Sequence, residues 1–414
     1  MAKLQPVRGT HDLLGEDARR HRHVIETALA TASRYGFSEI QTPIFEFTEV
    51  FARTLGETSD VVSKEMYSFT DRGDESITLR PEGTAGVARA FISGGLTQDL
   101  PLKLFYQGPM FRYERPQKGR QRQFHQIGVE LIGVPTPQAD IEVITVGADI
   151  LDALGIFDGI VLELNTLGDT ESRHAYRDAL VEYLMGHKDG LSEDSLRRLE
   201  ANPLRILDSK DEGDRKIVAD APSFGDYLNA ASEDFYGSVK QGLDAVGIPY
   251  RQNDRLVRGL DYYCHTAYEF VTDRLGAQGT VMAGGRYDGL IETMGGPSTP
   301  GVGWAAGIER IAMMIEAPAA PARPLSLIPV GEEATIAAIK LAHDLRKAGH
   351  SVEMGYSGNL GKRMKRANKL NASHAVIIGE TELEKGVATI RDLDTGAQVE
   401  VALDKIGDHL GAEA

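Results

Sequence analysis

Two runs, KLFYQGPMFRYE (103–114) and RQFHQIGVELIG (122–133), constrain this chain more than any other part. Both are β-rich, and a polar stretch with Pro116 and Gly119 separates them. Such a pair reads as a long-looped hairpin in an antiparallel sheet. Side chains alternate faces along a strand. In the second run Phe124, Gln126, Gly128 and Glu130 therefore share one face, and His125, Ile127, Val129 and Leu131 share the other. The latter face is largely apolar and reads as core. The former sets a ring, an amide and a carboxylate in a row, which suits the floor of a ligand site. Arg112 and Glu114 share a parity with Tyr106 and Met110, so the hairpin would carry Arg112 toward that row. From Arg112 to Arg122 five basic residues stand against one acid, Glu114, in a chain whose formal net charge is −16. Potentials are local over about one Debye length, roughly 8 Å at physiological salt, so an acidic protein can still hold an anion there.

The remaining pattern alternates helix and strand. Residues 17–35 read as a helix ending before Gly36, and GFSEIQTPIFE as strand-like with Pro43. ITLRPEGTAGVARAFISGG reads as strand, turn and helix; residues 135–158 as helix; IVLELNTLG as strand. Residues 170–247 are mostly helical and polar, as an inserted subdomain would be. TAYEFVTDR and TVMAGGRY return to β, and GVGWAAGIERIAMMIE reads as a helix on the spacing of Trp304, Ile308, Ile311 and Ile315. After the Pro/Ala linker EAPAAPARP (316–324) the pattern becomes strand, helix, strand, helix, strand, a small α/β domain.

Composition narrows the function classes. With 42% hydrophobic residues, 414 residues suffice for two or three domains with their own cores. No apolar run reaches the roughly 18 residues of a membrane span, and the N-terminus lacks the apolar region of a signal peptide. The single cysteine, Cys264, cannot form an internal disulfide, which fits the cytoplasm. It has no adjacent activating group, and no zinc-ligand spacing appears. His21 and His23 lie in a polar helix and are expected to be solvated, and His125 to be a core histidine. GVGWAAG lacks both the dinucleotide fingerprint's spacing and a βαβ unit, and GYSGNLGKR is one residue too long for a P-loop.

Several further fragments join the hairpin. LRPEGT (79–84) places Arg80, Glu82 and Thr84 on a turn entering a helix; RGLDYY (258–263) holds Arg258 and Tyr263; AGGRYDGL (283–290) holds Tyr287; GIER (307–310) ends in Arg310. Together and in this order they resemble the class II aminoacyl-tRNA synthetases, and more closely the histidyl-tRNA synthetase family, over essentially the whole chain. GFSEIQTPIFE looks like motif 1, FRYE…RQFHQ like motif 2 and GVGWAAGIER like motif 3, while RGLDYY and AGGRYDGL look like the two histidyl signatures. Tyr113 stands where bacterial members often carry histidine, and Cys264 where asparagine is common.

The resemblance implies an α+β fold: an antiparallel-sheet catalytic domain over residues 1–320 with a helical insertion at about 170–247, then an α/β anticodon-binding domain over 325–414. It implies a homodimer built through motif 1. The implied reaction activates L-histidine with ATP and Mg2+ to the adenylate, then transfers it to the 3′ end of tRNA(His). Bringing two anions together calls for fixed cations. By resemblance Arg112 holds the α-phosphate, and Arg258 contacts the histidine carboxylate and the phosphate. Arg310 and Phe124 sandwich adenine, and Glu114 and Arg120 also touch ATP, Glu114 being the nearest candidate for Mg2+. Glu82, Thr84 and Gln126 accept from the substrate ammonium. Glu130 and Tyr263 pair the imidazole nitrogens, with Tyr287 closing the pocket. Arg115 and Gln117 would read the extra guanosine of tRNA(His), Lys118 a phosphate, and the basic run of Lys362, Arg363, Lys365, Arg366 and Lys369 the anticodon region. The competing reading is the non-catalytic regulatory subunit of ATP phosphoribosyltransferase, a paralogue that typically lacks the anticodon-binding domain.

Overall fold

The computed structural model describes residues 3–55, 61–257 and 262–411. It divides into two compact units, Met1–Pro318 and Ala319–Ala414.

In the first unit α1 (Gly15–Arg34) leads into β1 (Ser38–Glu39), and β2 (Phe45–Phe47), α2 (Thr48–Leu55), β3 (Tyr67–Thr70) and β4 (Ser76–Leu79) follow before α3 (Thr84–Ser93). The long runs form β5 (Leu102–Phe111) and β6 (Gln123–Ile132), paired antiparallel without a break from Leu102↔Ile132 to Phe111↔Gln123. Next come α4 (Pro137–Ala153), β7 (Val161–Thr166), and the helices α5 (Thr170–Gly186), α6 (Glu193–Ala201), α7 (Glu212–Ala219) and α8 (Ala230–Val246). The unit closes with β8 (Tyr250–Gln252), β9 (Cys264–Val271), β10 (Thr280–Arg286), α9 (Leu290–Thr293), β11 (Gly301–Gly307) and α10 (Ile308–Ala312).

Eight of these strands make one sheet in the order β1-β5-β6-β11-β10-β9-β7-β8, while β2, β4 and β3 make a small second sheet. The interior pairings are antiparallel, and only the edges, β1 on β5 and β8 on β7, are parallel. The apolar face predicted for β6 is the core: Ile127, Val129 and Leu131 pack with Val24 and Ala28 of α1 and Val143 and Ile150 of α4.

Two readings change. GVGWAAG is a strand, not the first turns of a helix, and only Ile308–Ala312 is helical. The spacing of Trp304, Ile308 and Ile311 imitates a helix because all three are buried in the same core, from a strand and then from a helix. Three glycines disfavour a helix there, and β6 and β10 offer ladders on both sides. Trp304 is anchored by its indole N–H, which donates to the Val143 carbonyl at 2.9 Å. The second change concerns the helical stretch. Tyr236, Val239 and Leu243 of α8 are buried in the sheet's own core against α4, so the end of the predicted helical stretch packs directly on the sheet.

In the second unit β12 (Leu325–Pro329), α11 (Glu332–Lys347), β13 (Val352–Met354), α12 (Leu360–Lys369) and β14 (His374–Ile378) follow the predicted alternation. The chain then adds α13 (Glu380–Lys385), an antiparallel pair β15 (Val387–Asp392) and β16 (Gln398–Ala402), and α14 (Ile406–Leu410). The five-stranded sheet runs β13-β12-β14-β15-β16, parallel on one side and antiparallel on the other. Asn359 caps α12 by accepting from the Lys362 N–H, and of this basic helix only Ala367 is buried.

Candidate active site

The site is built where β4 turns into α3 and meets β6 across from the core. Glu82 sits in that turn and accepts from the backbone N–H groups of Thr84 at 2.8 Å and Ala85 at 2.7 Å. These donors at the start of α3 hold a carboxylate whose pKa burial pushes upward. The Thr84 hydroxyl donates to Glu130 Oε1 at 2.6 Å, and the Tyr287 hydroxyl donates to Glu130 Oε2 at 2.5 Å. Glu130 is fully enclosed. Burial pushes its carboxyl up to about 8, against the pull of those two hydrogen bonds and with Glu82 adding to the rise.

Two glycines make this arrangement possible. Gly303 of β11 pairs with Glu130, and a Cβ there would meet Glu130 Oε2 at 1.8 Å. A Cβ on Gly128 would meet the Tyr106 ring at 2.3 Å, so that ring can lie flat beneath β6. Tyr287 is aimed by its neighbour. Arg286 is fully buried and ion-paired with Asp140 of α4, and it donates to the Val134 carbonyl at 3.0 Å and the Thr136 carbonyl at 3.2 Å.

The cationic end is assembled from loop and helix residues. Arg112 donates to the Pro81 carbonyl at 2.9 Å, and its guanidinium lies 5.4 Å from the centroid of Phe124. Arg120 pairs with Glu114 at 2.6 Å. Arg310 donates to the Thr280 carbonyl at 2.6 Å, and burial lowers its pKa with the like charges of Arg120 and Arg112 assisting. A cavity of about 300 Å³ joins the two ends. Glu82, Thr84, Gln126 and Tyr263 line it, together with Arg112, Glu114, Arg120, Phe124 and Arg310.

The expected residues thus fall into four groups. Those nine line one cavity. Glu130 and Tyr287 lie behind its wall, bonded to each other. Arg115, Gln117 and Lys118 are exposed on the loop, which the Gln117–Arg120 bridge closes. Arg258 lies outside the described residues. Cys264 is largely enclosed, and burial pushes its thiol up to about 12, so it is no activated nucleophile.

Sequence reasoning missed Tyr262, whose ring lies 4.5 Å from that of Tyr263, and the Thr280–Glu269 pair at 2.8 Å on the cavity wall. Strand parity alone could not rank them among other polar residues. It also misplaced His21, which is buried, with its ring 5.3 Å from that of His125. Nor is His125 an ordinary core residue: its backbone N–H donates to both oxygens of Glu309 at 3.0 Å, and its Nδ1 lies 2.8 Å from Glu309 Oε1. The misread helix hid this clamp, because Glu309 follows directly on a strand paired with β6.

An antiparallel sheet with an arginine-rich hairpin loop over a floor of buried carboxylates is the arrangement of class II aminoacyl-tRNA synthetases. Residues 9–311 match the family model of histidyl-tRNA synthetase, and residues 325–413 match the anticodon-binding domain. The chain belongs to the histidyl-tRNA synthetase family, and its activity is that of a histidine–tRNA ligase, with ATP use implied by the family. It is 64% identical to the histidine–tRNA ligase of Rhodospirillum rubrum over 99% of both chains, and 60% identical to that of Gluconacetobacter diazotrophicus over the full length of both. The apo histidyl-tRNA synthetase of S. aureus superposes with a TM-score of 0.82 at 36% identity, covering 98% of this chain and 99% of that one. The regulatory-subunit reading is not favoured, since the full length, including the anticodon-binding domain, matches ligases.

Proposed function

We propose that the chain activates L-histidine through histidyl-adenylate and transfers it to tRNA(His), with the two ends of the cavity dividing the work. The observation that carries this reading is the single cavity joining three arginines to hydrogen-bonded carboxylates. Arg112, held by the Pro81 carbonyl, faces the α-phosphate and offsets the charge that develops as the histidine carboxylate attacks it. Arg258 assists from the histidine side. Phe124 and Arg310 flank adenine, and Arg120 and Glu114 bracket the remaining phosphates.

Glu82, Thr84 and Gln126 receive the ammonium. Tyr263 engages the imidazole at the wall, and Glu130, behind that wall, shapes the pocket through the Thr84 and Tyr287 hydroxyls that it holds. Magnesium fits the oxygen donors available: Glu114, with Glu269 nearby on the same wall, would hold it. When bound it would neutralise phosphate charge.

The exposed Arg115, Gln117 and Lys118 fit the acceptor end of tRNA(His), and the basic face of α12 fits its anticodon region. Homodimer formation is supported by Phe45, Phe47 and Phe69, at least half exposed on the small sheet. Among the described residues no helix is long and apolar enough to cross a membrane, and we place the reaction in the cytoplasm. The test is exchange of labelled pyrophosphate into ATP without tRNA. Exchange that requires histidine supports the reading, and its absence from a folded protein that binds histidine overturns it.

A further inference from the structure

Three elements meet at a point that the proposed reaction does not use. His21 of α1, His125 of β6 and Glu309 of α10 each offer one ligand atom, and these atoms all lie within 4.8 Å of one another. The group is largely but not wholly enclosed: His21 is 8% exposed and the side chains of His125 and Glu309 are 24% and 13% exposed, and the His21 ring stands edge-on to that of His125. No described residue hydrogen-bonds to the His21 imidazole. Its nearest polar company is the His125–Glu309 pair.

Two imidazole nitrogens and a carboxylate oxygen are the donor set of a zinc-type ion, which takes such ligands at roughly 2.0–2.2 Å. Donors around a tetrahedral ion of that size stand about 3–3.5 Å apart, so small side-chain rotations close this cluster onto one ion. A cavity of about 210 Å³ opens against it, bordered by His11, Asp17, His21 and Glu309, with room for water as a further ligand. Arg20, on the same wall, is turned away: it donates to the Ala312 carbonyl at 3.1 Å and the Ile315 carbonyl at 2.6 Å, and it pairs with Glu16.

We propose that His21, His125 and Glu309 bind one divalent transition-metal ion of the zinc type, at a site distinct from the Mg2+ that accompanies ATP. The ion would join α1, β6 and α10 beside the cavity wall that carries Arg310. A hard ion does not suit two imidazoles, which separates this site chemically from a magnesium site.

The test uses the full-length chain stripped with a chelator and titrated with Zn2+, and separately with Co2+, whose visible spectrum reports nitrogen and oxygen ligation. One ion per chain is expected. His21→Ala should weaken binding by at least about 10–100-fold, the loss typical of disturbing even an outer-shell partner of a metal ligand. His23→Ala, two residues along the same helix but outside the cluster, should not change it. If His21→Ala does not fold, as checked by circular dichroism, His21→Asn replaces it. Absence of stoichiometric Zn2+ binding, unchanged affinity in a folded His21 variant, or displacement of the ion by millimolar Mg2+ would each overturn the proposal.

Discussion

The two ends of the cavity hold charge in opposite ways. At the amino-acid end Glu82 and Glu130 are buried, with no cation paired to either among the described residues, and they are satisfied instead by N–H and O–H donors. At the nucleotide end Arg112, Arg120 and Arg310 are only partly enclosed and are steadied by carbonyls and by Glu114. A desolvated carboxyl is costly to ionise until a substrate cation pairs it, so the first end discriminates. Partly hydrated guanidiniums cost little to keep charged, so the second end supplies field strength by number.

If that division holds, the largest effect comes from deleting an acceptor at the dry end. Glu82→Ala should lower histidine-dependent pyrophosphate exchange by about 10⁴-fold while ATP binding changes little. An equal loss in both would break the comparison. Arg112→Ala should cost about 10²–10³ in kcat for exchange and leave histidine binding intact, as measured by calorimetry. Tyr287→Phe leaves Glu130 Oε2 without its donor, a penalty of about 1–3 kcal/mol, visible chiefly in the KM for histidine.

The smallest effect is in stability against pH. Folding raises the Glu130 carboxyl from 4.5 to about 8, so the native state keeps a proton that the unfolded chain releases. Its contribution is full below the ordinary carboxylate range and declines as pH rises toward about 8. Melting temperature should therefore fall more across that window in the wild type than in Glu130→Gln. A wild type that gains stability there relative to the variant would refute the assignment.

Much of this was legible beforehand. Alternation along residues 123–132 separates the floor of the site from the core, and every residue in the polar row faces away from Ile127, Val129 and Leu131. The arginines of the loop were visible as a charge cluster. Two elements misled. Trp304, Ile308 and Ile311 keep helical spacing across a strand-to-helix junction, and His21 lies among charged neighbours on a helix that reads as polar.

By itself the sequence determined the strand parity, the cationic loop and the order of the motifs, because periodicity and charge are local properties of neighbouring residues. Only the tertiary structure decided that β11 lies between β6 and β10, that Glu130 sits behind the cavity wall, and that His21 meets His125 and Glu309. Strand neighbours and desolvation depend on chain segments distant in sequence, and no local pattern encodes which segment will cover a given side chain.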